Sequence, residues 1–292
     1  MKYTVYVETV KELTTALGSD CDGVRFGSEF CPWKVPSLNS LKAAHMMSLE
    51  RGREFTYVTP RISSCDLGKV VDQLAYLHDH RSNSTRVVVN DLGVLNVLSE
   101  GEFLGLSPHL GRQLISVPLR GRPPMAELMR GGGLKQFVAR QIFNRSNLNH
   151  GLTIDFLKDL GVKGVDMDWL PDGFPHLNRI ARRGLHVAIH SHLSLIALTR
   201  MCHTARLMGE QAPEMCSQPC LRRAFVLKHP LLGEMYLLGD ALFGVVQPAP
   251  CQAQGIRSGG IKEIVLSLNA LTRLFDTEDI NRCIAQYRLW FD

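Results

Sequence analysis

The chain has 292 residues, of which 45% are hydrophobic and 21% are charged; this composition indicates a folded globular protein and excludes a disordered or fibrous one. The formal net charge is only +5 and no basic run occurs, so we expect no nucleic-acid partner. No stretch approaches the roughly eighteen apolar residues of a membrane span, and the N-terminus lacks a signal-peptide pattern, which predicts a cytoplasmic protein.

Strand and helix patterns alternate along the chain. Eight β-rich or apolar runs are predicted strands, at residues 3–7, 23–27, 55–59, 86–89, 103–106, 162–167, 185–189 and 264–268. Most are followed by a segment with the helical period, including 10–17, 38–51, 67–78, 152–160 and 174–182, and a last helix is predicted at 280–289. This alternation predicts a parallel sheet with helical crossovers.

Eight strand–helix units in a chain of this length predict an α/β protein with a (β/α)8 TIM-like barrel, either regular or irregular and incompletely closed. A doubly wound open sheet is the competing architecture. We expect one domain over residues 1–292, with insertions at about 107–150 and 192–260. The second insertion separates strands seven and eight, at the end of the barrel where active sites are built.

Three cysteines in the second insertion, Cys202, Cys216 and Cys220, have the spacing C-x13-C-x3-C. In a reducing compartment, clustered cysteines indicate metal binding or catalysis rather than disulfides. Zinc and iron–sulfur sites take four protein ligands, and Cys31, just past the second strand, is the best fourth ligand. Strands two and seven of a closed barrel are three steps apart, about 14 Å, which loops from one rim can bridge. Cys21 precedes its strand and belongs to the opposite end.

The metal itself stays open at this point. Zinc would use the same four thiolates, although zinc ribbons and fingers have two close cysteine pairs and this chain has one. The cysteine spacing also leaves open an iron–sulfur cluster or no metal at all. The remaining cysteines are isolated and are predicted to be small core or surface residues; they are Cys65, Cys251 and Cys283.

Two segments around these cysteines resemble a known family. "SLIALTRMCHTARL" followed by "MCSQPC", and the earlier "VRFGSEFC", resemble the peptidase U32 (collagenase-like) family, most closely its iron–sulfur branch in oxygen-independent ubiquinone biosynthesis. The resemblance implies a [4Fe-4S] cluster on Cys31, Cys202, Cys216 and Cys220. It also implies oxygen-independent hydroxylation of a small aromatic, quinone-precursor-like substrate, with a related family protein as heterodimer partner.

Two other functions remain open. Family members also hydroxylate RNA bases, against which the modest charge weighs, and the chain could instead be a non-catalytic cluster-bearing subunit that binds the partner or passes electrons. Despite the family name we expect no peptidase activity. No GxSxG or HExxH motif occurs, and a thiolate bound to iron is not free to attack an amide.

His190 and Asp168 are the predicted catalytic residues. In "LHVAIHSH" the period of two turns Val187 and Ile189 toward the helices and His190 inward. In "VDMDW" the same reasoning turns Asp168 inward, near the rim. A His and an Asp there suit proton transfer in a hydroxylation. They would equally suit a buried polar network that closes the barrel core, and the pattern favours neither role.

Charged residues flank the cysteines in sequence. Arg200 and Arg206 lie beside Cys202, and Glu29 lies two residues before Cys31. The arginines suit balancing a thiolate-rich cluster or binding an acidic substrate. A solvated surface role is equally open for all three side chains.

Overall fold

The centre of the molecule is a closed barrel of parallel strands. The computed structural model describes residues 1–81, 85–117, 132–143, 145–169, 174–199, 201–210, 216–221, 223–230, 233–246, 248–257, 260–268 and 280–292. The barrel strands are β1 (Lys2–Val7), β2 (Gly23–Gly27), β3 (Glu54–Val58), β4 (Arg86–Val89), β5 (Ser107–Leu110), β6 (Gly164–Asp168), β7 (His186–His190) and β12 (Glu263–Ser267). They are hydrogen-bonded in the order β1-β12-β7-β6-β5-β4-β3-β2, and β2 pairs β1 to close the ring. The predicted TIM-like barrel is confirmed, and the open doubly wound sheet is wrong.

Helices cover the outside of the barrel, except for the short helix His203–Leu207, which lies in the second insertion against its sheet. They are α1 (Val10–Leu17), α2 (Leu38–Glu50), α3 (Leu67–Asp79), α4 (Leu92–Ser99), α5 (Leu134–Phe143), α6 (Gly151–Asp159), α7 (Phe174–Arg182), α8 (His203–Leu207), α9 (Ala253–Arg257) and α10 (Ile280–Phe291). A capping box starts α1, in which the Thr9 hydroxyl accepts from the Glu12 N–H and the Glu12 carboxylate accepts from the Thr9 N–H. Among the described residues, no helix combines the length and apolarity that crossing a membrane requires.

The fifth strand lies later than predicted. The apolar run 103–106 belongs to a turn, in which Gly101 and Gly105 have φ values of 90° and 100°. Strand β5 is Ser107–Leu110. Pro108 has no N–H for the ladder, so its segment does not match a central-strand pattern. The predicted insertion at 107–150 therefore begins after Leu110, not at residue 107.

The second predicted insertion contains a sheet of its own. Its strands are β8 (His192–Leu198), β9 (Phe225–His229), β10 (Gly233–Leu238) and β11 (Ala241–Val246), antiparallel in the order β8-β11-β10-β9. One residue, Ser191, separates β7 from β8, so the sheet starts at the carboxyl end of the barrel. Leu193, Leu195 and Phe243 form its small core, and Phe30 from the loop after β2 packs against them.

Apolar side chains fill the layer between barrel and helices. Val165, Met167, Val187 and Ile189 are fully buried in the main hydrophobic cluster, as the period of two predicts. The opposite faces of the strands point into the barrel, where the side chains are largely polar.

An ionic network, which we call the interior network, occupies the barrel. The fully buried Arg25 of β2 donates to Asp166 of β6 at 2.5 Å and to Glu263 of β12 at 2.6 Å. Arg86 and His186 also contact Glu263, at 2.5 and 2.8 Å. Burial alone would raise the pKa of both carboxyls, but the charge of Arg25 outweighs it and holds each pKa below its usual range. The network therefore joins strands from opposite sides of the barrel.

We expect Arg25→Met to lower the free energy of unfolding by about 3–5 kcal/mol, because it removes the buried cation that two buried carboxylates share. Among the described residues, Asp166 would keep only His190 as an ionic partner, and Glu263 would keep only Arg86 and His186. Arg183→Met is the matched control, since its contact with Asp155 is half-exposed at 3.5 Å and such pairs contribute at most about 1 kcal/mol. Urea unfolding at neutral pH compares the two variants. Equal losses of unfolding free energy in the two variants would show that the interior network is not what stabilises the barrel.

Candidate cofactor site at the barrel rim

The four predicted ligand cysteines line one cavity of about 390 Å³ at the carboxyl end of the barrel, which we call the cysteine cavity. Strands β2 and β7 are three steps apart in the barrel, as predicted, and the chain segments that follow them meet above the mouth. The cavity-lining cysteines are Cys31, Cys202, Cys216 and Cys220. The other four cysteines do not line it; they are Cys21, Cys65, Cys251 and Cys283.

A tight turn after β2 positions Cys31. The Ser28 hydroxyl accepts from the Cys31 N–H at 3.2 Å and donates to the Cys31 carbonyl at 2.7 Å. Gly27 has a φ of 139°, and a Cβ there would lie 2.1 Å from the Val58 carbonyl oxygen. Only glycine therefore fits at the point where the chain leaves the barrel.

The other cysteines are held by short turns of the insertion. Cys202 precedes α8 and its sulfur accepts from the Ala205 N–H at 3.4 Å. The sulfur of Cys216 accepts from the Gln218 N–H at 3.4 Å. The Gln218 side chain donates to the Trp33 carbonyl at 3.3 Å, so the insertion is tied directly to the loop that carries Cys31.

Two of the four thiols, Cys31 and Cys202, lie in surroundings that disfavour bare thiolates. Burial raises the pKa of Cys31 to about 12 and also raises the pKa of Cys202. Lys34 is close enough to Cys31 and Cys220 to interact with both electrostatically, but its ammonium is paired with Glu8 at 2.5 Å. Among the described residues, no three His, Cys, Asp or Glu side chains are gathered closely enough to hold a metal ion as they stand. Deprotonation of these thiols would therefore require a bound cationic group.

Arg112 fastens the loop before Cys31 to the insertion, in an arrangement that we call the Arg112 clamp. Its guanidinium donates to both carboxylate oxygens of Glu29, at 2.7 and 2.6 Å, and to Asp168 at 2.8 Å. It also donates to the Leu193 carbonyl at 3.0 Å. The three charged side chains are at most 4% exposed. Four chain segments thus meet at one cation.

Aromatic rings flank this cation. The guanidinium carbon lies 5.4 Å from the ring centre of Phe30 and 5.9 Å from that of Phe243, which is within cation–π range. The two rings also meet edge to face at 5.2 Å. The clamp is therefore shielded from water, which strengthens its ion pairs.

Sequence reasoning missed Arg112 because the fifth strand was placed too early. With β5 ending at Leu110, Arg112 becomes a polar residue just past a strand's carboxyl end, which is the signal that could have identified it. The structure buries Glu29 in the clamp, so a solvated role for Glu29 is wrong. Arg206 is exposed and lines the cysteine cavity, whereas Arg200 lies outside the described residues.

The predicted catalytic pair occupies neighbouring strands. Asp168 and His190 are register partners between β6 and β7. Asp168 is fully buried and accepts from Arg112 and from the Leu195 N–H at 3.2 Å. His190 Nε2 is hydrogen-bonded to Asp166 at 2.9 Å. Both side chains thus take part in buried polar contacts, and His190 also lines a cavity.

That cavity, which we call the inner cavity, lies between the barrel mouth and the antiparallel sheet and measures about 50 Å³. A water molecule needs about 10–15 Å³ on this measure, so it has room for a few waters. Cys31, Lys34, Cys220 and Asp240 line both cavities. The two cavities are therefore neighbours that share part of their walls.

Comparisons with known proteins give only distant structural likenesses. No protein-family model and no curated protein sequence matches the chain. Among solved structures, the U32 peptidase Mk0906 is similar at 11% identity and a TM-score of 0.46, over 91% of this chain and 92% of that one. D-psicose 3-epimerase from Clostridium cellulolyticum H10, with D-tagatose, is similar at 11% identity and 0.43, over 91% and 84%.

A D-psicose 3-epimerase with D-fructose is similar at 10% identity and a TM-score of 0.47, over 99% of each chain. At TM-scores below 0.5 none of these likenesses supports a conclusion about this chain. The closed barrel of the chain shows its fold directly. Membership in the iron–sulfur branch of the U32 family stays a prediction.

We expect Arg112→Lys to loosen the Cys31 loop, because an ammonium cannot reproduce the forked bonds to Glu29. Alkylation of Cys31 by iodoacetamide, followed by mass spectrometry in reduced, metal-free protein, should be at least about tenfold faster than in the wild type. The control is Arg206→Lys, which changes an exposed arginine of the same rim. An unchanged alkylation rate in Arg112→Lys would mean that the clamp does not position Cys31.

Proposed function

We propose that the protein binds a [4Fe-4S] cluster through Cys31, Cys202, Cys216 and Cys220. We further propose that it acts in oxygen-independent hydroxylation of a small aromatic, quinone-precursor-like substrate, with a related protein as partner. One observation carries the proposal: four cysteines from distant parts of the chain line a single cavity at the end of the barrel where TIM-barrel enzymes do their chemistry.

The donor set and its surroundings fit such a cluster. Four thiolates are its usual protein ligands, and hydrogen bonds to the sulfurs are among the features that tune such clusters; backbone N–H groups donate to the sulfurs of Cys202 and Cys216. A single Zn²⁺ would require all four sulfurs within about 2.3 Å of one ion. A cluster binds each thiolate at a different iron, so it suits sulfurs spread around a cavity of about 390 Å³.

The bound cluster would supply one-electron transfer, and the chain's own residues would handle binding and protons. Asp166 orients the His190 ring, which lines the inner cavity beside Cys31 and Cys220. A histidine so oriented is suited to take up or release a proton close to the cysteines. Asp168 is ion-paired with Arg112, so it would hold the chain segments at the barrel mouth in place rather than exchange protons.

Protein purified without oxygen should be brown and contain about four irons per chain. Single alanine variants at Cys31, Cys202, Cys216 and Cys220 should each lose most of that iron, because one missing thiolate opens the cluster to solvent. Iron analysis, absorbance near 400 nm and EPR of the reduced protein measure the loss.

Alanine variants of the cysteines away from the cavity are the matched controls and should keep their iron; these are Cys21, Cys65, Cys251 and Cys283. Stoichiometric zinc in colourless protein would overturn the iron–sulfur assignment, because d¹⁰ zinc has no visible transitions. Iron retained in Cys31→Ala would show that the fourth ligand lies elsewhere.

We also propose that the protein is not a peptidase, because amide hydrolysis needs an activated nucleophile or a metal-bound water. Ser191 is hydrogen-bonded to His192 at 2.9 Å, but burial lowers the pKa of His192 to about 4, which makes it a weak base. Cluster-loaded protein should leave casein and gelatin intact, with or without added zinc. Cleavage that disappears in His190→Ala would show a hydrolytic site at the mouth.

A further inference from the structure

Asp240 presents an unsatisfied carboxylate oxygen at the junction of the two cavities. It lies in the turn between β10 and β11 and lines both the cysteine cavity and the inner cavity. Its Oδ1 is buried and has no hydrogen-bond partner among the described residues. A buried acceptor without a donor is costly to a fold and therefore calls for an explanation.

The turn fixes the backbone that carries this side chain but gives its Oδ1 no hydrogen bond. Gly239 has a φ of 68°, and the Asp240 carbonyl accepts from both the N–H and the hydroxyl of Thr199, at 3.0 and 3.1 Å. These bonds fix the backbone, not the carboxylate. The backbone from which the carboxylate projects is thus fixed beside both cavities.

Of the nearby cations, Arg112 and Lys34 are already paired, whereas Arg206 and Arg61, the latter with a charge that acts on Asp240, are exposed. In the inner cavity, Arg112 is bound to Glu29 and Asp168, and Lys34 is bound to Glu8. Arg206 on the rim of the cysteine cavity is exposed, where an ion pair is weak. The polar group left open at the junction is therefore an acceptor, which favours a hydrogen-bond donor over an anion as ligand.

The lining offers apolar surface for a ring. The cysteine cavity measures about 390 Å³, compared with the roughly 150 Å³ that holds benzene, and the ring would share this space with the cluster. Trp33, Met201 and Ala205 contribute to its wall. A planar ring packed there would bring a substituent within reach of the junction.

We propose that Asp240 determines ligand specificity: the site takes a neutral aromatic molecule whose hydroxyl group donates a hydrogen bond to Asp240 Oδ1. The aromatic class rests on the proposed function, and the requirement for a donor is the new element. A site built to bind a hydroxyl discriminates strongly against an analogue that lacks it, because its own buried polar group is then left unpaired.

Three para-substituted toluenes test the proposal; they are 4-methylphenol, 1,4-dimethylbenzene and 4-methylbenzoate. Their binding is measured by ligand-observed NMR with protein purified without oxygen, whose iron content is determined separately. We expect the wild type to bind 4-methylphenol at least about tenfold more tightly than either analogue. Asp240→Ala should abolish this preference while folding normally, since it removes an unsatisfied buried group.

Glu210→Ala is the matched control. Glu210 is another carboxylate lining the cysteine cavity, but it already accepts hydrogen bonds from Ser217, so its loss should leave the preference unchanged. Four outcomes would each overturn the proposal. These are equal binding of 4-methylphenol and 1,4-dimethylbenzene, tighter binding of 4-methylbenzoate, no binding of any of the three ligands, and a preference that survives in Asp240→Ala. If the purified protein contains no iron but still prefers 4-methylphenol, the cluster assignment is wrong and the role of Asp240 stands. If the protein contains about four irons but shows no preference, the role of Asp240 is wrong and the cluster assignment stands.

Discussion

The Arg112 clamp is the interaction on which the geometry of the rim depends. One guanidinium binds the segment before Cys31, the end of β6 and the first strand of the insertion. Because every partner is buried, none of these bonds can be exchanged for water at low cost. The relative position of Cys31 and the insertion's cysteines is consequently set by a residue that lines the inner cavity and not the cysteine cavity.

Two buried arginines neutralise buried carboxylates at two levels of the barrel. Arg25 neutralises the carboxylates of the interior, and Arg112 neutralises those of the mouth, each bridging two acidic residues. Between these compensated layers lies an apolar one that includes Tyr6, Val88 and Val265. At the cavity junction, Asp240 has a buried oxygen without a hydrogen-bond partner among the described residues, as expected of a group kept for a ligand rather than for stability.

The barrel could be predicted from sequence because its strands are short apolar runs separated by helical periods. Strands Gly23–Gly27 and Arg86–Val89 have the bounds that the sequence pattern predicts. The number of strands between Cys31 and the insertion was enough to predict that both lie at the same rim. The charged contacts could not be predicted, since their partners come from strands far apart in the chain. An arginine in "GVRFG" or an aspartate in "LLGDAL" carries no local sign of what it meets across a barrel.

The order of the strands has a consequence for biogenesis. The last strand, β12, lies between β1 and β7 in the barrel, so the wall that connects the Cys31 loop to the insertion is missing until residues 263–267 have been synthesised. The contacts that shape the rim are long-range ones, which form late and slowly. All four rim cysteines therefore leave the ribosome before the barrel that brings them together can close. The geometry that gathers all four cysteines around one cavity is complete only once β12 has joined the barrel.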